Sequence, residues 1–335
     1  VETWRWKQFD HLVQDLDSTL PNFSEDVESE WCRYDVNFVP SGGKARQRNS
    51  LPPNEASPSG LAVFDPSHAA GVTGERDWLH ANSISYDEAR GLVMLSYCST
   101  SEIVVVSRRT DAIVWRFGNP AAYRAGDPVS DRRLFCQHSA QFVTSGDDKK
   151  IRFVCFNNGA APQRLWSTVD EYEISQDILA TTHTKRPAEC DLKWRHGPPV
   201  SHFGSFYAHH SSGVCRCANG NTLVTLGPQG ILFEVTPDHE EVWRYVSPVE
   251  VRADDQAPAF VSQGSQRVKG RFGIFFARRY SPDYAAFAGK LLVPGRHLEG
   301  RGLFSPSSDD DLSTAVVVPP LSAAAAAAET TAMRR

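Results

Sequence analysis

The chain has 335 residues, 41% of them hydrophobic, which is enough to bury a substantial core. Its net charge of −5 and pI near 6.1 argue against a nucleic-acid surface, because phosphate binding needs clustered Lys and Arg. No stretch approaches the roughly 18 consecutive apolar residues of a membrane span.

In chain order, the opening VETWRWKQF looks like the second strand of a hairpin without its partner, so the sequence is expected to begin inside a repeat. Val1 is not Met and no charged-then-apolar leader follows, which fits a removed signal peptide or a fragment. Residues 8–17 (QFDHLVQDLD) are the best short helix candidate. Residues 40–60, rich in Gly, Pro and Ser, are expected to form a flexible loop inside the domain.

An internal repeat then emerges. Residues 102–120 (EIVVVSRRTDAIVWRFGNP) and 231–248 (ILFEVTPDHEEVWRYVSP) each hold an apolar run, a polar turn with Asp, then Val-Trp-Arg-aromatic and a nearby Pro. Two β-rich runs joined by a short turn make a hairpin. Leu165-Trp166 and Leu192-Lys193-Trp194 are looser echoes, and the separation of Trp194 from Trp243 suits the roughly 40–50 residues of a propeller blade. A β-sandwich would use similar strands, but the repeated hairpin-plus-proline unit favours an all-β fold of repeated four-stranded units, a β-propeller, over residues 1–300. From about Ser305 the chain becomes rich in Ser, Pro and Ala, and 305–335 is expected to be a disordered tail.

Seven cysteines give no metal-ligand spacing: Cys215 and Cys217 are too close for a zinc knuckle, and Cys32, Cys98, Cys136, Cys155 and Cys190 are scattered. No metal site is expected. His209 and His210 would face opposite sides of a strand and cannot easily serve one ion. No phosphate-binding glycine loop, nucleophile elbow or zinc signature appears.

Four stretches carry polar groups on apolar strands. In 77–83 (DWLHANS), alternate residues share a face, so His80 and Asn82 can point into one cavity. In 135–141 (FCQHSAQ), Gln137 or Ser139 can orient the His138 imidazole. The third, 156–159 (FNNG), is a turn signal whose side chains bond backbone groups, and Asn158-Gly159 reads as structural. The fourth, 206–212 (FYAHHSS), leads into Asn219-Gly220, another structural turn.

Taken in order, DWLHANSISY (77–86), SEIVVVSRRTDAIVWRFGNPAAYRAG (101–126), FCQHSAQF (135–142), FNNG (156–159), STVDEY (167–172) and ANGNTLV…ILFEVTPDHEEVWRYVSP (218–248) resemble the arylsulfotransferase family, above all its uncharacterised members. The resemblance implies a six-bladed propeller, incomplete here at its N-terminus, with one family histidine falling upstream of Val1. It implies transfer of a sulfuryl group from a phenolic sulfate to a phenol, without nucleotide cofactor, through a sulfo-histidine. It further implies His138 as nucleophile, His80 as a second catalytic residue, and Asn82 and Ser211 as substrate-binding residues. Its partners would be a small aryl sulfate and a phenol, and its location secreted or periplasmic. Two departures stand out: Cys98 falls where the family carries an arginine, and Ser167-Thr168 fall where Ser-Arg is expected. Arg108, Arg109 and Arg124 are the candidates to compensate. A non-catalytic propeller that binds a ligand or acts as a scaffold is the alternative.

Overall fold

In a computed structural model of the chain, the runs rich in Val, Ile, Thr and aromatics become antiparallel strands. The structure describes residues 2–38, 78–143, 149–175, 190–198, 206–250, 259–260, 272–292 and 316–317. It divides into two compact units, residues 1–214 and 215–335. Near the start, β1 (Leu12–Val13) and β2 (Tyr34–Asp35) pair in parallel. Three four-stranded sheets follow. The first joins β3 (Ala81–Asp87), β4 (Leu92–Tyr97), β5 (Glu102–Ser107) and β6 (Ile113–Phe117). The second joins β7 (His138–Val143), β8 (Lys150–Asn157), β9 (Thr168–Ser175) and β10 (Asp191–His196). The third, in the second unit but for its first two residues, joins β11 (Gly213–Arg216), β12 (Thr222–Leu226), β13 (Ile231–Val235) and β14 (Glu241–Val246).

Within every one of these sheets the strands lie in chain order, a meander of propeller-blade form. The chain is therefore all-β and propeller-like, as its repeats suggest. Both repeated hairpins form as expected, β5 with β6 and β13 with β14. The fourth strands share a further mark: Trp115 stacks on Phe117, Trp194 on His196 and Trp243 on Tyr245. Residues two apart on a strand share a face, so one aromatic pair lies along each fourth strand.

Three local expectations fail for identifiable reasons. The opening segment is not a strand: Trp4 Nε1 donates to Asp111 Oδ1 at 2.8 Å and Trp6 Nε1 to the Asp111 carbonyl at 3.0 Å, which moors it on the β5–β6 turn instead. The helix candidate gives only one 3₁₀ turn, Gln8–His11, before β1. Buried Gln14 then accepts from the amides of Leu16 and Asp17 and donates to the Asp17 carbonyl, which replaces helical bonds with a turn. Leu165-Trp166 lies in the loop before β9, not in a strand. The loop expected at 40–60 lies outside the described residues, as does the tail at 305–335 apart from Val316–Val317, which pair with Leu291–Leu292.

The first sheet is covered on both faces. One face packs Met94, Ile103, Val105 and Trp115 against Leu134, Ile151, Phe153 and Tyr172 of the second sheet and its approach loop. The other packs Val93, Val104, Val106 and Ile113 against Leu12 and Tyr34. That is why β5 is apolar along nearly its whole length and fully buried, in place of the alternation of a half-exposed strand.

The exception at its start is Glu102. Its carboxylate meets Arg116 of β6 at 2.6 Å, and both side chains are essentially excluded from water. Arg116 also donates to the carbonyls of Trp31 and Arg33, and its guanidinium lies over the rings of Tyr34 and Tyr123. One cation thus joins the first sheet to the preceding segment. Burial pushes the Glu102 carboxyl up, against the pull of Arg116. Removing one partner of such a pair strands the other, which typically costs about 3–5 kcal/mol. Arg116→Met should lower the unfolding free energy by about that amount in urea denaturation, and adding Glu102→Gln should recover part of the loss.

Candidate functional site

The first strands of the two leading sheets run side by side. Ser83 Oγ donates to the Ala140 carbonyl at 3.3 Å, and the Phe142 amide donates to Ser85 Oγ at 3.1 Å. The contact carries His80 and Asn82 to the start of β3 and His138 to the start of β7. Plain strand alternation is not what aims them. His80 is left-handed at φ 53°, Asn82 sits where the β3–β4 register breaks, and the β7–β8 register breaks just after His138, with Ser139 at φ 57°. Of nine non-glycine residues with positive φ among the described residues, six (His80, Ser101, Cys136, Ser139, Ser211 and Ser212) belong to this region. Such conformations cost about 1–3 kcal/mol each and persist where the surroundings enforce them.

His138 is buried, and its Nδ1 lies 3.0 Å from the Cys136 carbonyl and 2.9 Å from Asn158 Oδ1. Asn158 Nδ2 donates to the carbonyls of Ala208 (2.7 Å) and Ser211 (2.9 Å), so its oxygen is the atom turned to the imidazole. A carbonyl and an amide oxygen only accept, hence Nδ1 carries the hydrogen and the in-plane lone pair resides on Nε2. Burial lowers the His138 pKa from its ordinary 6.5; the bonds to Asn158 and the Cys136 carbonyl oppose this, and nearby His80 and His210 add to it. At neutral pH the ring is a neutral Nε2 base.

The flanking backbone is clamped. Asn82 Nδ2 donates to the Gln137 carbonyl at 2.8 Å, and Asn82 Oδ1 accepts from the Ser139 amide at 3.3 Å, holding the chain on either side of His138. Gln137 does not touch the imidazole: its buried amide turns to Ser96 Oγ and the carbonyls of Tyr97 and Glu102. Asn158, not Gln137 or Ser139, is the orienting residue. Asn157 accepts from the Phe135 amide and donates to the Arg133 carbonyl, fixing the approach loop from the end of β8. Gly159, at φ +91°, allows this, since a Cβ there would come within 2.5 Å of the Trp166 carbonyl and 2.7 Å of that of Arg164.

The structure brings His80, Asn82, His138 and Ser211 into one neighbourhood. The His80 ring stands edge-on to His138, with centroids 6.4 Å apart. Ser211 takes part through its carbonyl, which holds Asn158. Ser167, at the second departure, fastens the Asn158 carbonyl (2.6 Å) and the Ala208 amide (2.9 Å), so it braces the site in place of lining it with charge.

None of the three suggested arginines lies here. Arg124 is held by Asp15 and Asp35, Arg108 donates to the Tyr86 hydroxyl, and Arg109 is exposed. Arg132 is the cation beside Cys98 and Cys136. It donates to Ser101 Oγ and to the Leu134 carbonyl, and its guanidinium lies 4.5 Å from the centre of the Phe135 ring. Burial lowers its pKa, while the electrostatic pull of Cys136 and Cys98 raises it. Among the described residues it has no carboxylate partner. Sequence patterns missed Arg132 and the part Asn158 plays, because an arginine in a polar loop and an Asn before Gly both resemble ordinary surface and turn residues.

The sequence pattern of the arylsulfotransferase (ASST) family matches residues 2–179, more than half of the chain. The chain belongs to the arylsulfotransferase family. The match takes in His80, Asn82, His138 and Asn158 and stops short of Ser211. No curated protein matches the chain significantly. Among solved structures it is similar to a Bacteroides caccae protein of unknown function (14% identity, 53% of this chain and 52% of that one, TM-score 0.31). It is also similar to a streptogramin B lyase (14%, 52% and 43%, 0.29) and to a Staphylococcus aureus virginiamycin B lyase (11%, 56% and 64%, 0.26). The chain thus spans about half the length of the first of these structures, and likenesses so slight carry no functional weight.

The tautomer and burial together set an expected titration. In nuclear magnetic resonance of histidine-labelled protein, the His138 imidazole should titrate below pH 6.5. Asn158→Ala should lower that midpoint further, because it removes a bond that favours the charged ring.

Proposed function

We propose that this family member transfers a sulfuryl group from an aryl sulfate to a phenol, with His138 as nucleophile. The observation that carries the proposal is the pair of acceptors on His138 Nδ1, which puts the lone pair on Nε2 at neutral pH. Nε2 attacks sulfur, an N–S bond forms, and the S–O bond to the aryl group breaks with its electron pair leaving on the phenolate. The ring becomes cationic while its Nδ1–H stays between Asn158 Oδ1 and the Cys136 carbonyl, and those two acceptors bond a cation more strongly than the neutral ring. The acceptor phenol loses its proton, attacks the same sulfur, and returns Nε2 to its starting state.

In this scheme His80, whose ring stands edge-on to His138, protonates the departing oxygen and takes the proton from the incoming one. The second Nδ2 hydrogen of Asn82 and the hydroxyl of Ser211 bind sulfuryl oxygens. Arg132 supplies the positive charge that Cys98 does not, since a thiol offers no guanidinium fork to an anion. No cofactor enters the scheme. The replacement at Cys98 also favours a second reading, a propeller that binds an aryl sulfate without turning it over.

Turnover of aryl sulfates with a phenol acceptor separates the two. His138→Ala should abolish phenol release, and wild-type kcat/KM for 4-nitrophenyl sulfate, whose leaving group needs no acid, should fall as the pH drops below 6.5 and His138 gains its proton. His80→Ala should slow phenyl sulfate by roughly 10²–10⁴ and 4-nitrophenyl sulfate far less, because a nitrophenolate leaves without protonation. Arg132→Ala should raise KM more than it lowers kcat. Saturable aryl sulfate binding with no phenol release would select the binding module.

A further inference from the structure

Cys98, where the family carries an arginine, is not alone. It lies in the turn after β4, its amide donating to the His80 carbonyl at 3.1 Å. The Ser101 hydroxyl ties that turn to the approach loop of β7: it donates to the Cys98 carbonyl at 3.3 Å and accepts from the Cys136 amide at 3.0 Å and from Arg132. This one hydroxyl thus holds the Cys98 carbonyl and the Cys136 amide side by side, with Arg132 on the same atom, and the interaction with Cys98 is the largest influence lowering the Cys136 thiol. Both cysteines are partly accessible.

We propose that Cys98 and Cys136 are an oxidisable dithiol, a modification site at which a small hydroperoxide closes a disulfide next to His138. The Cys136 sulfur attacks the nearer peroxide oxygen, the O–O bond breaks, and an alcohol or water departs, leaving a sulfenic acid on Cys136. The Cys98 sulfur then attacks that sulfur, its proton leaves with the sulfenic hydroxyl as water, and the S–S bond forms. Two thiols are oxidised and one peroxide is reduced. The attacking group is Cys136 because its surroundings favour the thiolate: the influence of Cys98 acts first, then the charge of Arg132, with Ser101 and His80 adding to it, all against burial. Tyr207, the other titratable group that senses its charge, is itself pushed up by burial. Elsewhere burial drives thiols the opposite way, upward at Cys32, Cys155, Cys190 and Cys217. The site needs no sulfuryl chemistry to operate. It bears on the histidine because the Cys136 carbonyl is one of the two acceptors on Nδ1.

The test is titration of the reduced chain with hydrogen peroxide, followed by alkylation and peptide mass mapping. The first product should be a peptide pair linking Cys98 to Cys136, two hydrogens lighter and split by dithiothreitol. Cys98→Ser should instead leave a dimedone-trappable sulfenic acid on Cys136, and Cys136→Ser should leave Cys98 alkylatable at the same dose. First oxidation at Cys215 and Cys217, or both site thiols remaining alkylatable while others oxidise, would overturn the proposal. Because the readout is a bond and not turnover, that result would leave the sulfuryl-transfer reading untouched.

Discussion

Everything at this site depends on one hydrogen atom, held on His138 Nδ1 between Asn158 Oδ1 and the Cys136 carbonyl. That arrangement fixes the tautomer and the ring orientation and leaves the in-plane lone pair on Nε2. It holds because each acceptor is immobilised from a different part of the chain. Asn158 is fixed by the Ala208 and Ser211 carbonyls, and Cys136 by its bond to Ser101. A neutral imidazole in a buried setting follows from this, and with it a base that works at neutral pH.

The fold brings these pieces together by repetition. Each meander presents its first strand on one side and its aromatic-bearing fourth strand on the other, and the first strands of the two leading sheets adjoin. Their starts therefore converge, and a few left-handed residues there turn side chains that strand alternation alone would have sent elsewhere. The buried Glu102–Arg116 pair anchors the sheet that carries His80 and Asn82 to the segment before it.

Much of the fold was legible because the signals are local. Glu102–Ser107 with Ile113–Phe117 and Ile231–Val235 with Glu241–Val246 are β-rich runs joined by polar turns, and both became hairpins. The failures were places where a side chain overrode the pattern, as at Gln14 and at Trp4 and Trp6. The site was legible only in part. His80, Asn82 and His138 stood out through their spacing, but Asn158 looked like a turn former and Arg132 like solvated charge. Their roles arise from contacts between residues far apart in sequence, such as Asn158 with Ala208 and Ser211, which no local pattern encodes. Cys98, which as a bare substitution seemed only a loss, turned out to lie one serine hydroxyl away from Cys136.

The most direct test of the central claim is mass spectrometry of the protein mixed with 4-nitrophenyl sulfate and no acceptor. The account predicts one sulfuryl group on the His138 peptide, formed together with one equivalent of nitrophenol and discharged when a phenol is added. Release of nitrophenol with no adduct on His138, or an adduct on another residue, would contradict it.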